Sequence, residues 1–307
     1  MSLSAALRPL KARWAALPGN FRGIVWALIA ALAFSCMQVA IKEAGRTLPV
    51  WQILVLRSAL ALLFIFPAIW RAGFASLATK RPKMHIFRTC LGFGGISTLV
   101  LSLQHLELTI VATLGFSSTL FVILFAWAFL GERIVRDRTI ATVIGFIGVL
   151  ICLNPGPEGV NPWALVMLGS AVFAASVHTA IKSLTGTERP TTILFWSYFG
   201  IMCLSAIPCA LTWVEMTTAD MAMVGLMAVC ATAGQTCMVM SLRAGEAIAV
   251  APCSYTRIIY ATLFGYFIFN DLPAWSTLAG AAVIVASTLY LALKERRAPL
   301  PKAPAAS

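Results

Sequence analysis

Ten long apolar runs follow one another along the chain, and only short polar connections separate them. Each run is close to the roughly 20 residues that an α-helix needs to cross the hydrocarbon core of a bilayer. Charged residues make up 11% of the chain, against about 25% in soluble domains. The sequence therefore predicts an all-α integral membrane protein with ten transmembrane helices, at residues 22–42, 50–70, 86–105, 108–130, 138–154, 162–183, 191–213, 220–241, 247–269 and 274–293.

The basic residues predict the orientation of these spans. Cytoplasmic loops of membrane proteins carry an excess of Lys and Arg. When the N-terminus is placed inside and the spans alternate, 19 of the 23 Lys and Arg residues lie on cytoplasmic segments. Lys42 and Arg46 lie on outside segments, and Arg57 and Arg257 lie within spans. We therefore expect a multi-pass membrane protein with both termini cytoplasmic. The net charge of +12 then needs no nucleic-acid partner to explain it.

The terminal segments lack the features of folded domains. Residues 1–21 are basic and interrupted by Pro18 and Gly19, without the apolar core of a cleaved signal peptide. We interpret them as a cytoplasmic N-terminal segment, and residues 295–307 as a disordered basic tail. The eight cysteines lie in or beside apolar runs without a CxxC motif or a His at metal-ligand spacing, so we expect no metal site and no cofactor.

Two stretches of the chain share an order of features. "LSLQHLELTIVATLGFSSTLFVILFAWAFLGER" begins near residue 101, and "MSLRAGEAIAVAPCSYTRIIYATLFGYFIFNDL" begins near residue 240. The halves are then residues 22–155 and 160–294, with five spans each, and an odd number of spans inverts the second half in the membrane. Inverted repeats are typical of secondary transporters, whose substrate site lies near the midplane between the repeats. A shift of 139 residues pairs Ser102 with Ser241, Glu107 with Glu246, and Glu132 with Asp271.

These two stretches resemble the paired five-helix EamA domains of the drug/metabolite transporter superfamily. The acidic residues Glu132 in "LGER" and Asp271 in "FND", and Arg57 early in the second span, also match that family. The resemblance implies alternating access around a central cavity lined largely by helices 3, 4, 8 and 9. The family includes bacterial amino-acid exporters with ten helices and inside termini, so the resemblance implies a location in a bacterial inner membrane. Many relatives have proline where this chain has Ser118 and Thr119, which puts a helix break in the fourth span in doubt.

The ninth span places polar groups at mid-depth in an apolar helix. Pro252, Thr256 and Tyr260 are four residues apart and share one helical face, with Tyr255 and Arg257 beside them. By repeat symmetry the fourth-span stretch that contains Phe116 and Ser117 should flank the same cavity.

Arg257 is the sharpest of these features, because a charge at the centre of a spanning helix costs about 2.5–3.5 kcal/mol on insertion scales. It either binds a substrate carboxylate or is a structural residue held by carbonyls and hydroxyls. His178 and Trp196 are further candidates for substrate binding, although a lone His more often bonds a neighbouring helix and Trp196 fits lipid equally well. Arg57, Pro252, Glu132 and Asp271 are candidate structural or gating residues.

The eleven acidic residues all map to loops or span ends. The absence of a midplane carboxylate argues against efflux of cationic drugs and favours a zwitterionic or weakly anionic substrate. The predicted function is export of amino acids, aromatic or otherwise apolar, down their gradient. Uptake of a vitamin or nucleoside-linked metabolite is the alternative. We expect no enzymatic activity, since the chain has no HExxH or GxSxG motif and no aspartate pair within a span. A monomer is expected, with a dimer left open.

Overall fold

A computed structural model describes residues 17–130, 136–154, 160–185, 187–244, 253 and 256–295. Within these residues the regular structure is eleven α-helices and one short 3₁₀ helix at Phe74–Leu77. We number the α-helices in chain order: α1 Gly19–Ala44, α2 Val50–Ala72, α3 Pro82–His105, α4 Leu108–Gly115, α5 Ser117–Leu130, α6 Arg136–Leu153, α7 Pro162–Thr185, α8 Pro190–Leu211, α9 Thr218–Ala244, α10 Thr256–Phe269 and α11 Trp275–Glu295.

The helix ends follow simple backbone rules. Proline precedes or opens several helices, as Pro49 does for α2 and Pro190 for α8, because its fixed φ suits the first helical turn and its missing N–H has no partner there in any case. Asn270, with φ 57°, terminates α10, and the N–H of Asp271 then turns back to the carbonyl of Gly265 at 2.9 Å. This left-handed residue directs Asp271 back toward the helix end.

Six of the described helices are long and apolar enough to cross a membrane, which makes this a multi-pass membrane protein. They cover most of α1, α2, α3, α7, α8 and α9. Four shorter apolar helices lie at Leu108–Val122, Val143–Leu153, Thr256–Phe269 and Trp275–Ser287. The all-helical membrane character predicted from the sequence is confirmed, whereas the count of ten spans and the inversion of the halves stay predictions.

The most extensive helix contacts join the two halves of the chain. α1 packs on α9, α3 on α7, α2 on α8, and α6 on α11. By position in the two halves, α1 corresponds to α7, α2 to α8, α3 to α9 and α6 to α11. Exchanging each helix for its counterpart turns the α1–α9 pair into the α3–α7 pair, and it leaves the α2–α8 and α6–α11 pairs unchanged. The halves are therefore interleaved, and neither encloses a core by itself.

Glycines permit the closest of these approaches. A Cβ on Gly280 of α11 would lie 2.6 Å from the carbonyl oxygen of Gly148 in α6 and 2.7 Å from the Cβ of Cys152. Such separations leave no space for a side chain, so the two backbones pack directly against each other. Small residues at helix interfaces commonly serve this purpose in membranes.

Candidate substrate cavity

A cavity of about 510 Å³ lies between helices of both halves, and we call it the central cavity. Its lining comes from α3, α4, α5, α9 and α10, which correspond to the predicted spans 3, 4, 8 and 9. Side chains of α1 and α7 contribute as well. Its described lining consists of Phe34, Gln38, Leu99, Val111, Ala112, Gly115, Phe116, Ser118, Met167, Ser170, Ala171, Ala174, Met238 and Arg257. The wall is mainly apolar with a few polar groups, as in typical small-molecule sites.

Arg257 is the one charged residue among these lining residues. Its guanidinium carbon lies 5.4 Å from the centroid of the Phe34 ring, within the range of a cation–π contact. Its Nε is buried and has no hydrogen-bond partner among the described residues. Among the described residues no carboxylate lines the cavity beside it, so the side chain brings a positive charge and a free Nε donor to the described wall.

The fourth predicted span is interrupted where it reaches the cavity. α4 ends at Gly115 and α5 begins at Ser117, while the N–H of Phe116 bonds to the carbonyl of Thr113 at 3.1 Å. The Ser117 hydroxyl donates to the carbonyl of Leu114 at 2.5 Å. The interruption thus forms without proline, through a tightened turn and a hydroxyl that satisfies a main-chain carbonyl.

The structure brings together some of the predicted site residues and separates others. Phe116 and Arg257 line the central cavity, but Ser118 does so in place of the buried Ser117. Thr256 donates to the carbonyl of Cys253 at 2.6 Å, and Tyr260 follows Arg257 by nearly one turn of α10. Neither Thr256 nor Tyr260 is among the described lining residues.

Trp196 lies elsewhere. Its indole Nε1 donates to the carbonyl of Leu77 at 3.0 Å, and it lines a separate apolar pocket with His85. This position gives no contact with the central cavity, so a role in binding there is without structural support. Pro252, Tyr255 and Glu132, together with the side chain of His178, lie outside the described residues.

Sequence reasoning missed several residues of the wall. Phe34 and Met238 sit within apolar runs, where no spacing distinguishes a lining side chain from one in contact with lipid. Gln38 is 3% exposed, and its Oε1 has no partner among the described residues. A buried amide in a spanning helix is a usable signal, although it points equally to a contact between helices.

One end of the bundle carries an ion pair between the halves. The Lys42 ammonium donates to the Asp271 carboxylate at 2.6 Å, with 13% and 22% of the two side chains exposed. The same ammonium lies 4.5 Å from the centroid of the Phe269 ring. Glu107 is nearby, and burial, together with the charge of Asp271, raises its pKa above the usual glutamate value despite the opposing charge of Lys42.

The other end is joined by hydrogen bonds around Glu188. The Thr79 hydroxyl donates to Glu188 Oε1 at 2.7 Å, and the N–H of Lys80 donates to the same oxygen at 3.0 Å. The bond from Thr79 is the largest of the effects that lower the pKa of Glu188. Arg81 also donates to the Ser183 carbonyl at 2.9 Å. Both ends of the bundle therefore carry polar contacts between the first and second halves.

Arg57 lies in a different place from Arg257. It lines a pocket of about 150 Å³ between α2, α8 and α9, which we call the Arg57 pocket. The described linings of this pocket and of the central cavity have no residue in common.

Comparison with known proteins gives a consistent family. The model of the EamA-like transporter family matches the chain twice, at residues 21–154 and 161–293. An S-adenosylmethionine uptake transporter of Rickettsia bellii is 29% identical over 90% of this chain and 95% of its own. A riboflavin transporter of Rhizobium johnstonii is 30% identical over 90% and 92%, and the pseudopaline exporter CntI of Pseudomonas aeruginosa is 30% identical over 88% and 95%.

A solved crystal structure agrees with the fold. It superposes with a TM-score of 0.64 and covers 90% of this chain and 98% of its own, at 17% sequence identity. At that identity the likeness concerns the fold alone.

Proposed function

We propose that this chain, which belongs to the EamA-like transporter family, moves a small carboxylate-bearing metabolite with an apolar part across the membrane by alternating access. It is a membrane transporter of small metabolites and not an enzyme, as its family and relatives establish. The proposal concerns the substrate, the groups that bind it and the way access alternates. The observation that supports it most is Arg257 in the wall of the central cavity, whose Nε has no hydrogen-bond partner among the described residues.

The argument from Arg257 is electrostatic. A guanidinium in a membrane helix needs water, a carbonyl or an anion to offset its desolvation. The described lining offers no carboxylate, and Phe34 offers only its ring face. A substrate carboxylate can accept two parallel hydrogen bonds from the free edge of the guanidinium. The same charge disfavours a substrate whose only charge is positive.

The rest of the cavity selects for size and apolar character. A volume of about 510 Å³ is within the usual range for small-molecule sites and exceeds what a single aliphatic amino acid fills. Phe116, Met167 and Met238 provide apolar and polarisable contacts. An aromatic amino acid fits these requirements, and so does an amino acid joined to a larger group.

The relatives favour the larger of these substrates. S-adenosylmethionine is an amino acid joined to a nucleoside, and it is the substrate named for the relative from Rickettsia bellii. It combines the carboxylate expected from Arg257 with the nucleoside-linked character of our alternative from the sequence, but its ammonium and sulfonium give it a net positive charge, unlike the zwitterionic or weakly anionic substrate that the sequence favours. We take S-adenosylmethionine as the first compound to test, and free apolar amino acids as the second.

A carboxylate-free vitamin is the second candidate. The riboflavin transporter of Rhizobium johnstonii supports it, as does the aromatic surface of Phe34 and Phe116. In this case Arg257 would bond to carbonyl oxygens of the ring system, and its positive charge would matter less than its donors.

Alternating access follows from the interleaved halves. We propose that the two five-helix units are inverted repeats with both termini cytoplasmic, which the distribution of Lys and Arg supports. Separation of Lys42 from Asp271 would then open the cavity at one end, and separation of the contacts around Glu188 would open it at the other. Transport without a coupling ion follows the substrate gradient, so one mechanism serves both export and uptake.

Flux into proteoliposomes tests the proposal. Labelled S-adenosylmethionine, phenylalanine and riboflavin are each supplied outside, with and without a pH gradient, and Arg257→Lys and Arg257→Gln are compared with the wild type. We expect saturable flux of at least one carboxylate-bearing compound, largely kept in Arg257→Lys and lost in Arg257→Gln. Flux of riboflavin alone, unaffected by either substitution, would favour the second candidate. Flux of none of the three would refute the proposed substrate class.

A further inference from the structure

The Arg57 pocket has features of a site that the proposed transport cycle does not use. It measures about 150 Å³ and is lined by side chains of α2, α8 and α9. Ala61 and Leu194 form part of an apolar wall, and Arg57 and Tyr198 bring polar groups to it. The Nε of Arg57 is buried without a hydrogen-bond partner among the described residues.

No carboxylate can reach Arg57 from the helices that enclose this pocket. The sequence has no Asp or Glu within residues 50–72 or 190–211, and none within residues 221–244. The nearest acid on these helices is Asp220, in the first turn of α9, which is bonded to Thr217 at 2.7 Å and also to Thr47. No carboxylate of α2 or α8, and none of α9 beyond its first turn, therefore balances the charge of Arg57.

A second buried arginine lies on the neighbouring helix α3. Arg88 is 6% exposed, and its Nε has no hydrogen-bond partner among the described residues. It is not among the described residues that line the Arg57 pocket, so Arg57 brings the positive charge to that lining.

The donors available in the pocket are few. Thr232 and Thr236 also line it, but their hydroxyls donate to the carbonyls of Ala228 at 2.9 Å and of Thr232 at 2.8 Å, within their own helix. The guanidinium of Arg57 and the phenol of Tyr198 are left as donors to a ligand. This set is too small to replace the hydration of a dianion, because burial of a charge without full compensation is costly.

We propose that the Arg57 pocket binds a small monovalent inorganic anion, of which chloride is the common example. The ion would accept hydrogen bonds from Arg57 and Tyr198, with its remaining surface against the apolar wall and one or two waters. It would balance the charge of α2 and hold α2, α8 and α9 together. This site is separate from the central cavity, so it binds whether or not a substrate is present.

Thermal unfolding of the purified, detergent-solubilised protein tests this. Sodium chloride is titrated against sodium gluconate at constant ionic strength, and sodium bromide and sodium phosphate are run in parallel. We expect the wild-type Tm to rise by about 3 °C or more, saturably, with chloride and with bromide. The rise should disappear in Arg57→Met and need severalfold more chloride in Tyr198→Phe.

Two control variants keep the result interpretable. Arg257→Met removes a different buried arginine and should keep the full chloride response. Thr236→Val removes a hydroxyl that is bonded within its own helix and should also keep it. An identical chloride response in Arg57→Met and the wild type would overturn the proposal, and so would a response to phosphate alone. Bromide anomalous density beside Arg57 would establish the site directly.

Discussion

Arg257 and Arg57 are the same residue type on apolar helices, yet the spaces beside them differ greatly. Arg257 faces about 510 Å³ enclosed by helices of both halves, with a ring, thioethers and hydroxyls around it. Arg57 faces about 150 Å³ between three helices, with a mostly apolar wall. On our proposals each arginine meets an anion, and the volume and lining beside it select which kind.

Lys42 provides the contrast to both arginines. Its ammonium lies 2.6 Å from the Asp271 carboxylate and 4.5 Å from the centroid of the Phe269 ring. The charge of Lys42 is therefore offset by the protein itself. Lys42 makes an observed contact between the two halves, whereas a substrate contact for Arg257 and an ion contact for Arg57 are our proposals. This division is open to test by substitution.

The largest expected difference is between the two arginines in transport. Arg257→Ala should reduce flux of a carboxylate-bearing substrate by roughly 10- to 100-fold, because hydrogen bonds to charged groups contribute about 1.5–3 kcal/mol. Arg57→Met should keep flux within about twofold under saturating chloride, since its pocket is separate. The measurement is the initial rate of substrate flux per reconstituted protein molecule. Equal losses in the two variants would contradict the separation of the two sites.

Filling each space should give the next largest difference. Ala174 lines the central cavity and Ala61 lines the Arg57 pocket. Ala174→Phe should reduce flux of a large conjugate such as S-adenosylmethionine by roughly fivefold or more, because steric overlap in a well-packed space costs about 1–3 kcal/mol. Ala61→Phe is the matched control and should instead abolish the chloride response. Competition between phenylalanine and S-adenosylmethionine measures whether the block depends on substrate size.

Charge exchange should sharpen the contrast with Lys42. Asp271→Lys and Lys42→Asp each leave a partly buried charge facing a like charge, and each should lower the free energy of unfolding by about 1–3 kcal/mol. The double exchange restores opposite charges and should recover at least half of that loss. Chemical denaturation of the four proteins gives the coupling energy. Additive losses in the double variant would mean that the ion pair does not join the halves.

The smallest effect concerns Glu107, and its sign can be worked out. Burial raises the pKa of Glu107 above its ordinary value of 4.5, so the folded protein favours the protonated carboxyl. The stability gained from this group is complete below that value and is lost as the pH rises through the raised pKa. In Glu107→Gln the Tm should fall less than in the wild type between pH 4.5 and pH 7, by about 1–2 °C. Parallel pH profiles of the two proteins would contradict this assignment.

Much of the architecture was predictable because the bilayer imposes length and apolar composition on spanning helices. The apolar runs predicted most of the described helices to within a few residues, although the fourth is divided at Phe116 and the described part of the ninth begins at Thr256. The internal repeat suggested that Phe116 and Arg257 would face one cavity. These features depend on local pattern, which the sequence contains in full.

The remaining features depend on packing between distant segments. No sequence pattern indicates that Lys42 meets Asp271, or that Phe34 lies against Arg257, because each contact requires the mutual position of two helices. The interruption at Phe116 was obscured for a different reason. Serine and a tightened turn terminate α4 there in place of the proline that the family pattern suggested.

The most direct test of the account is a thermodynamic cycle on the carboxylate of the substrate. Binding of the transported compound and of its carboxamide analogue is measured by calorimetry, in the wild type and in Arg257→Ala. We predict that loss of the carboxylate weakens binding to the wild type by roughly tenfold or more, and leaves binding to Arg257→Ala unchanged within about twofold. The same loss of affinity in both proteins would show that Arg257 does not bind the carboxylate, and the central claim would be wrong.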